Sequence, residues 1–304
     1  MQRMAQTVSS GHFGAHGVRS PGERVPPQAF FLISAVFHYL GPSLAVLLFA
    51  RLDVLGVTWL RIAGAAAIFA LWRRPWRLFG RLGGAEQRTL AWFGIVLAAM
   101  NTLFYLAIDR LPLATVGAIE FLGPIALAAY GIRTWRNAAA LLLTTAGAAA
   151  LTEFRLAGAL PGFACAFGDC ALFVLYVVLG HRIANAGNAT ATGTMTGIDR
   201  LGAAMLIATV AVTPMGFAGA LPAFAHPGLL AAGIGVGVCS SVIPYVCDQL
   251  AMARLSRASF ALMLALLPVC ALLIGALVLR QIPTARDLAG IALVVAGIAI
   301  HQRS

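Results

Sequence analysis

The chain of 304 residues is 61% apolar and only 10% charged, with a mean hydropathy of +0.90. Soluble globular chains run near 45–50% apolar and about 25% charged, so this balance excludes an ordinary soluble enzyme; so little charge on so much apolar surface excludes a disordered chain too. The basic side chains are 21 arginines without one lysine, set against 10 acids for a net charge of +11. They mark the ends of apolar runs, which is the pattern of membrane topology and not of nucleic-acid binding.

Residues 1–28 carry Gly, Ser, His and Pro and no apolar run. They lack the basic region, apolar core and small-residue cleavage site of a signal peptide, and are expected to be a disordered cytoplasmic leader. From Phe30 onward, apolar stretches alternate with short polar breaks at 30–50, 54–72, 89–109, 113–132, 137–153, 157–180, 192–213, 227–252, 258–279 and 284–301. A span needs about 20 residues, within a range of about 17–25. In lipid, a run with no apolar–polar alternation can satisfy its backbone only as a helix. The expected fold is therefore an all-α polytopic membrane protein of about ten transmembrane helices. Cys165, Cys170, Cys239, Cys247 and Cys270 all fall inside these stretches; an odd number without nearby histidines is neither a disulfide framework nor a zinc site. They read as small buried apolar groups.

With the N-terminus inside, 14 arginines fall in cytoplasmic segments and five in outer breaks, while Arg61 and Arg200 lie within spans. That asymmetry places both termini in the cytoplasm. Residues 105–132 align with 249–276 at a constant offset of 144, and eight of the 28 positions are identical, among them Arg110/Arg254, Leu111/Leu255, Ala114/Ala258, Pro124/Pro268 and Gly131/Gly275. Helices three and four then correspond to eight and nine. The chain divides into five-helix repeats over 29–153 and 154–304, and an odd number of spans turns the second upside down, the inverted arrangement of many secondary transporters.

Charged and polar groups inside these spans are the candidate site residues, because each costs several kcal/mol in hydrocarbon unless it faces a cavity or a partner. Glu120 lies mid-span, one turn before Pro124, and either takes part in transport or is a packing acid satisfied by Asn101 or Tyr105. Asn101 and Tyr105 share a helix face at i and i+4 and can orient a small polar substrate or join helices. Arg61 can hold a carboxylate bidentately, snorkel to the outer headgroups or pair with an acid. Asp248, with Tyr245 and Ser241 near its face, and Asp169, with Tyr176 two turns on, are further pathway candidates. The adjacent Asp199 and Arg200 point in different directions and need not pair with each other. His38 shares a face with Ser34 and can act as a proton sensor or a hydrogen-bonded core group. No Walker A loop, HExxH, Gly-x-Ser-x-Gly or Cys-x-x-Cys-His is present, so neither ATP-driven pumping by this chain alone nor one of these enzyme chemistries is expected. No cofactor, metal or obligate protein partner is implied.

The segments NTLFYLAIDRLPLATVGAIEFLGPIALA (101–128), PWRLF (75–79) and SSVIPYVCDQLAMARL (240–255) resemble the drug/metabolite transporter superfamily with two EamA-type halves, and within it the bacterial threonine/homoserine exporters. The resemblance spans almost everything after about residue 30. It implies a ten-helix inner-membrane exporter with inverted repeats and a central cavity, carrying a small zwitterionic amino acid. Glu120 matches the glutamate before glycine-proline in the family's fourth helix, and Asp248 the acid after proline-tyrosine in its eighth. Leu267, where those exporters place an acid before Pro268, and Arg280-Gln281, where they have Gly-Glu, depart from the pattern. Proton antiport is the expected coupling because Glu120 can titrate; a uniporter would use the same cavity.

Overall fold

The apolar runs form helices in a computed structural model that describes residues 25–129, 134–151, 160–186, 197–264, 266–280, 282 and 284–300. In chain order these are α1 (Pro27–Leu48), α2 (Val54–Arg73), a 3-10 turn (Pro75–Leu78), α3 (Gly84–Ile108), α4 (Leu113–Ala129), α5 (Trp135–Leu151), α6 (Leu160–Ala186), α7 (Gly197–Phe224), α8 (Pro227–Met252, through a π-turn at Val238–Val242), α9 (Arg257–Met263), α10 (Leu266–Leu279) and α11 (Ala285–Ile300). Among the described residues there is no β-strand. Six helices, α1, α2, α3, α6, α7 and α8, are long and apolar enough to cross a membrane.

The ends differ in places from the sequence expectation, for local reasons. Helix α1 starts at Pro27, inside the expected leader, because a proline at the first helical position loses no hydrogen bond; residues 1–24 lie outside the described residues. Helix α7 runs past residue 213 to Phe224 with Pro214 and Pro222 inside it, since prolines are tolerated in membrane helices whose neighbours re-satisfy the freed groups. Its expected first residues, 192–196, are not among those described. The expected span 258–279 is divided into α9 and α10. Pro268 has no N–H to offer the carbonyl four residues back, at Leu264, and the Leu267 N–H donates to it instead at 2.9 Å.

Helix α2 packs on α7, α3 on α6 and α7, α1 on the second part of α8 and on α10, α4 on α5, α6 and α10, and α5 on α11. Small residues permit the tightest approaches, as between membrane helices generally. A Cβ on Gly56 of α2 would lie 2.8 Å from the Ala220 backbone N of α7. A Cβ on Gly41 of α1 would lie 2.6 Å from the Ser240 backbone N of α8. The second approach brings α1 against the π-turn and draws the polar groups of both helices to the centre of the molecule.

Candidate functional site

A small cavity of about 10 Å³ lies among α1, α2, α3, α4, α6 and α8, bordered by His38, Arg61, Asn101, Glu120, Asp169 and Tyr245. That volume has room for about one water. Six of the eight site residues named from the sequence therefore converge here, although they are spread from position 38 to 245.

Arg61 of α2 points inward rather than to the outer headgroups and is only 3% exposed. Its Nε donates to Ser241 Oγ at 2.9 Å, and its Nη2 to the Ser240 carbonyl at 2.9 Å and to Tyr245 Oη at 3.4 Å. The guanidinium lies over the Tyr105 ring, 4.9 Å from its centroid, so the fifth residue of the Asn101–Tyr105 pattern acts on the cavity through Arg61. The carbonyl of Ser240 is available because Pro244, four residues on, has no N–H to give it. The π-turn at 238–242 accommodates the same proline. Arg61 thus spends two of its three nitrogens on α8, and Nη1 has no hydrogen-bond partner among the described residues.

Two acidic side chains line the same cavity. Glu120 of α4, 2% exposed, accepts from the Tyr39 hydroxyl at 3.0 Å, and its other oxygen stands 3.7 Å from His38 Nε2. Its neighbours are these α1 groups rather than Asn101 or Tyr105. Asp169 of α6 is fully buried, and neither carboxylate oxygen has a hydrogen-bond partner among the described residues. Asn101 donates through Nδ2 to Leu97 O at 2.6 Å and accepts from Tyr245 Oη at 2.9 Å. A cation and two carboxyl side chains, with an oriented amide and phenol between them, can replace the water around both ends of a zwitterion.

Asp248 belongs to a second buried cluster rather than to the cavity wall. It accepts from Ser34 Oγ at 2.5 Å and from Tyr176 Oη at 2.6 Å. Tyr176 therefore serves Asp248 and not Asp169, and Ser241 serves Arg61 and not Asp248. Asp199 and Arg200 indeed turn apart: Arg73 reaches Asp199 at 2.7 Å, and Arg200 reaches Glu86 at 3.0 Å. Groups of three or more His, Cys, Asp or Glu able to hold a metal are absent among the described residues.

Residues 160–301 match the EamA-like transporter family. The threonine/homoserine exporter RhtA of Salmonella typhimurium strain SL1344 is 30% identical over 273 residues, covering 89% of this chain and 89% of that protein. The chain belongs to the EamA-like transporter family. RhtA of Escherichia coli K12 is 29% identical over 273 residues with the same coverage of both chains. A crystal structure 18% identical in sequence superposes with a TM-score of 0.60 over 90% of this chain and 96% of its own, which shows a shared fold. Membership of this family and the six long apolar helices make the molecule a multi-pass membrane transporter rather than an enzyme.

Two partners of the cavity residues in this EamA-like transporter were not singled out from the sequence: Tyr39, the phenol on Glu120, and Ser240, whose carbonyl holds Arg61. A sequence signal for Ser240 exists. His38, Glu120 and Ser240 each stand four residues before a proline, at Pro42, Pro124 and Pro244, where the carbonyl loses its usual helix donor. Tyr39 has no such signal, since only the approach of α1 to α4 brings it to the acid.

Proposed function

We propose that this EamA-like transporter is a secondary exporter of small zwitterionic amino acids of the threonine and homoserine class, working by alternating access across a bacterial inner membrane. One observation carries the reading: a single buried cavity offers Arg61 Nη1 and the Asp169 carboxylate, both without hydrogen-bond partners among the described residues, beside Glu120. Buried ionic groups left in that condition are costly unless something fills the space between them. An amino acid supplies a carboxylate for Arg61 and an ammonium for Asp169 and Glu120, while Asn101 and Tyr245 orient its remaining polar groups. The exporter names of the RhtA relatives, over nearly the whole chain, favour the same cargo and direction. A cavity of about 10 Å³ is too small for an amino acid, so the arrangement corresponds to a closed state between inward-open and outward-open forms.

In this reading α9 and α10 together make one span, and α4, α5 and α11 are shorter ones, for a total of ten with both termini cytoplasmic. The packing supports two five-helix repeats: α1 meets α8 as α6 meets α3, α1 meets α10 as α6 meets α4, and α2 meets α8 as α7 meets α3. Asn101 and Tyr245, which are hydrogen-bonded to each other, are also 144 positions apart, the offset of the internal repeat. Asp248 with Ser34 and Tyr176 forms a support beneath the cavity in this scheme. Glu120, adjoining His38 and Tyr39, is the group through which an inward proton exchanges for an outward amino acid.

The test is efflux from proteoliposomes loaded in turn with labelled threonine, homoserine, other neutral amino acids and an aromatic amino acid, with and without a proton gradient. Saturable threonine or homoserine efflux that accelerates with the gradient is expected. Glu120→Gln, which keeps the volume and removes the titratable charge, is expected to reach the membrane and to lose gradient-driven efflux. Unchanged rate and pH profile in the variant would remove Glu120 from the mechanism. Failure of every solute to move under any gradient would refute the exporter reading.

A further inference from the structure

Away from the central cavity, the end of α2 and the turn that follows form a second site whose chemistry the transport cycle does not use. The sequence Leu71–Arg81 places four arginines within nine positions, interleaved with Trp72, Trp76 and Phe79. A cavity of about 200 Å³ opens here, lined by Trp72, Arg73, Arg74, Arg77, Arg81 and Asp199, together with the turn itself. Asp199 is the one acid on the wall, and it is already held by the Arg73 fork at 2.7 and 3.0 Å. Arg74, Arg77 and Arg81 are exposed and make no ion pair with the described residues. The site therefore presents three uncompensated guanidinium groups to whatever enters it.

The backbone is arranged to keep them there. Arg74 has φ of 50°, a left-handed conformation that is disfavoured for any residue with a Cβ. It lets the chain turn directly from α2 into the 3-10 segment, which is pinned by the buried Pro75 and Leu78. The result directs Arg74, Arg77 and Arg81 to one cavity instead of spreading them around a helix. Strain of this kind persists where the surrounding structure or a bound partner compensates for it.

The apolar surroundings identify the depth. Leu71 is 86% exposed, and Trp72, Trp76 and Phe79 are also exposed around the cavity. Exposed aromatics beside arginines at the end of a membrane span belong at the level of the lipid headgroups. A soluble anion would account for the arginines and leave the exposed tryptophans without a role. A lipid accounts for both, with its phosphate among the guanidinium groups and its glycerol and upper acyl chain against Leu71, Trp72 and Trp76.

We infer that the Arg74–Arg77–Arg81 cavity is a binding site for the headgroup of an anionic glycerophospholipid. Each arginine contributes as a planar donor to phosphate oxygens, and Trp72 and Trp76 fix the depth of the headgroup. The inference does not depend on what the central cavity carries.

Native mass spectrometry of the full chain, released from nanodiscs of equal parts phosphatidylglycerol and phosphatidylcholine, tests it directly. The wild type is expected to retain phosphatidylglycerol in preference to phosphatidylcholine. That preference should fall by about fivefold for each arginine removed, in Arg77→Gln/Arg81→Gln and then in Arg74→Gln/Arg77→Gln/Arg81→Gln. The double variant alters only exposed side chains and so reports on binding even if the triple variant misfolds. Arg74→Gly should weaken the lipid preference by the same single-arginine factor while keeping or raising the melting temperature, because it removes a charge and relieves the left-handed strain together. Equal retention of the two lipids by the wild type, or an unchanged preference in the double variant, would overturn the site. Complete displacement of phosphatidylglycerol by millimolar inorganic phosphate would mark a free-anion site instead and overturn the assignment to lipid.

Discussion

Replacing Arg61 separates a binding role from a packing role, and the structure sets the scale of each. Arg61 lines the cavity and its Nη1 has no hydrogen-bond partner among the described residues, whereas Nε and Nη2 hold Ser241 and Ser240 of α8. A hydrogen bond to a charged group contributes about 1.5–3 kcal/mol, which corresponds to roughly 12- to 160-fold in affinity. Arg61→Gln should therefore raise the half-saturating concentration for threonine or homoserine efflux by a factor in that range. Arg61→Lys should fall between, because an ammonium keeps the charge but cannot bridge α8 and substrate with one planar fork. A second substrate separates the roles. For 1-amino-2-propanol, which keeps the amine and hydroxyl of threonine and lacks the carboxylate, wild type and Arg61→Gln should differ by less than about threefold if only the carboxylate contact is lost. The assay is concentration-dependent efflux from proteoliposomes, with melting temperature in detergent measured in parallel. Equal loss for the amino acid and the amine would show that Arg61 only holds α8 in place. An unchanged half-saturation for the amino acid would refute a carboxylate contact altogether.

Gly41→Ala should destabilise the protein by about 1–3 kcal/mol, because the new methyl would stand 2.6 Å from the Ser240 backbone N and 2.8 Å from its Cα; a melting temperature within a degree of wild type would show that α1 and α8 can separate freely. Gly80→Cys, placed in a cysteine-free background at an exposed position with open space around its Cβ, should resist a membrane-impermeant thiol reagent in intact cells and react in inverted vesicles. Efficient labelling in intact cells would reverse the proposed topology.

Membership of a helical membrane class was legible in composition alone, since lipid offers no water to an unpaired backbone and leaves a strongly apolar, non-alternating run one way to fold. The spans from α1 to α3 and α8 were legible for the same reason, and the intramembrane position of Arg61, Glu120, Asp169 and Asp248 marked them as costly groups in need of company. Which company each keeps was not legible. Tyr176 bonds Asp248 rather than the acid on its own helix, Ser241 bonds Arg61, and Glu120 finds Tyr39 and His38. These partners lie on different helices, and periodicity along one helix carries no information about its rotation against another. The close approach at Gly41 sets that rotation for α1, and Pro244 with the π-turn sets it for α8. Sequence by itself therefore determined that this chain lies in a membrane and which side chains could not remain in lipid unaccompanied, because solvation acts on each residue separately. Only the tertiary structure decided that Arg61 and Asp169, each with polar atoms left without hydrogen-bond partners among the described residues, border one cavity, because that is a property of how six helices pack.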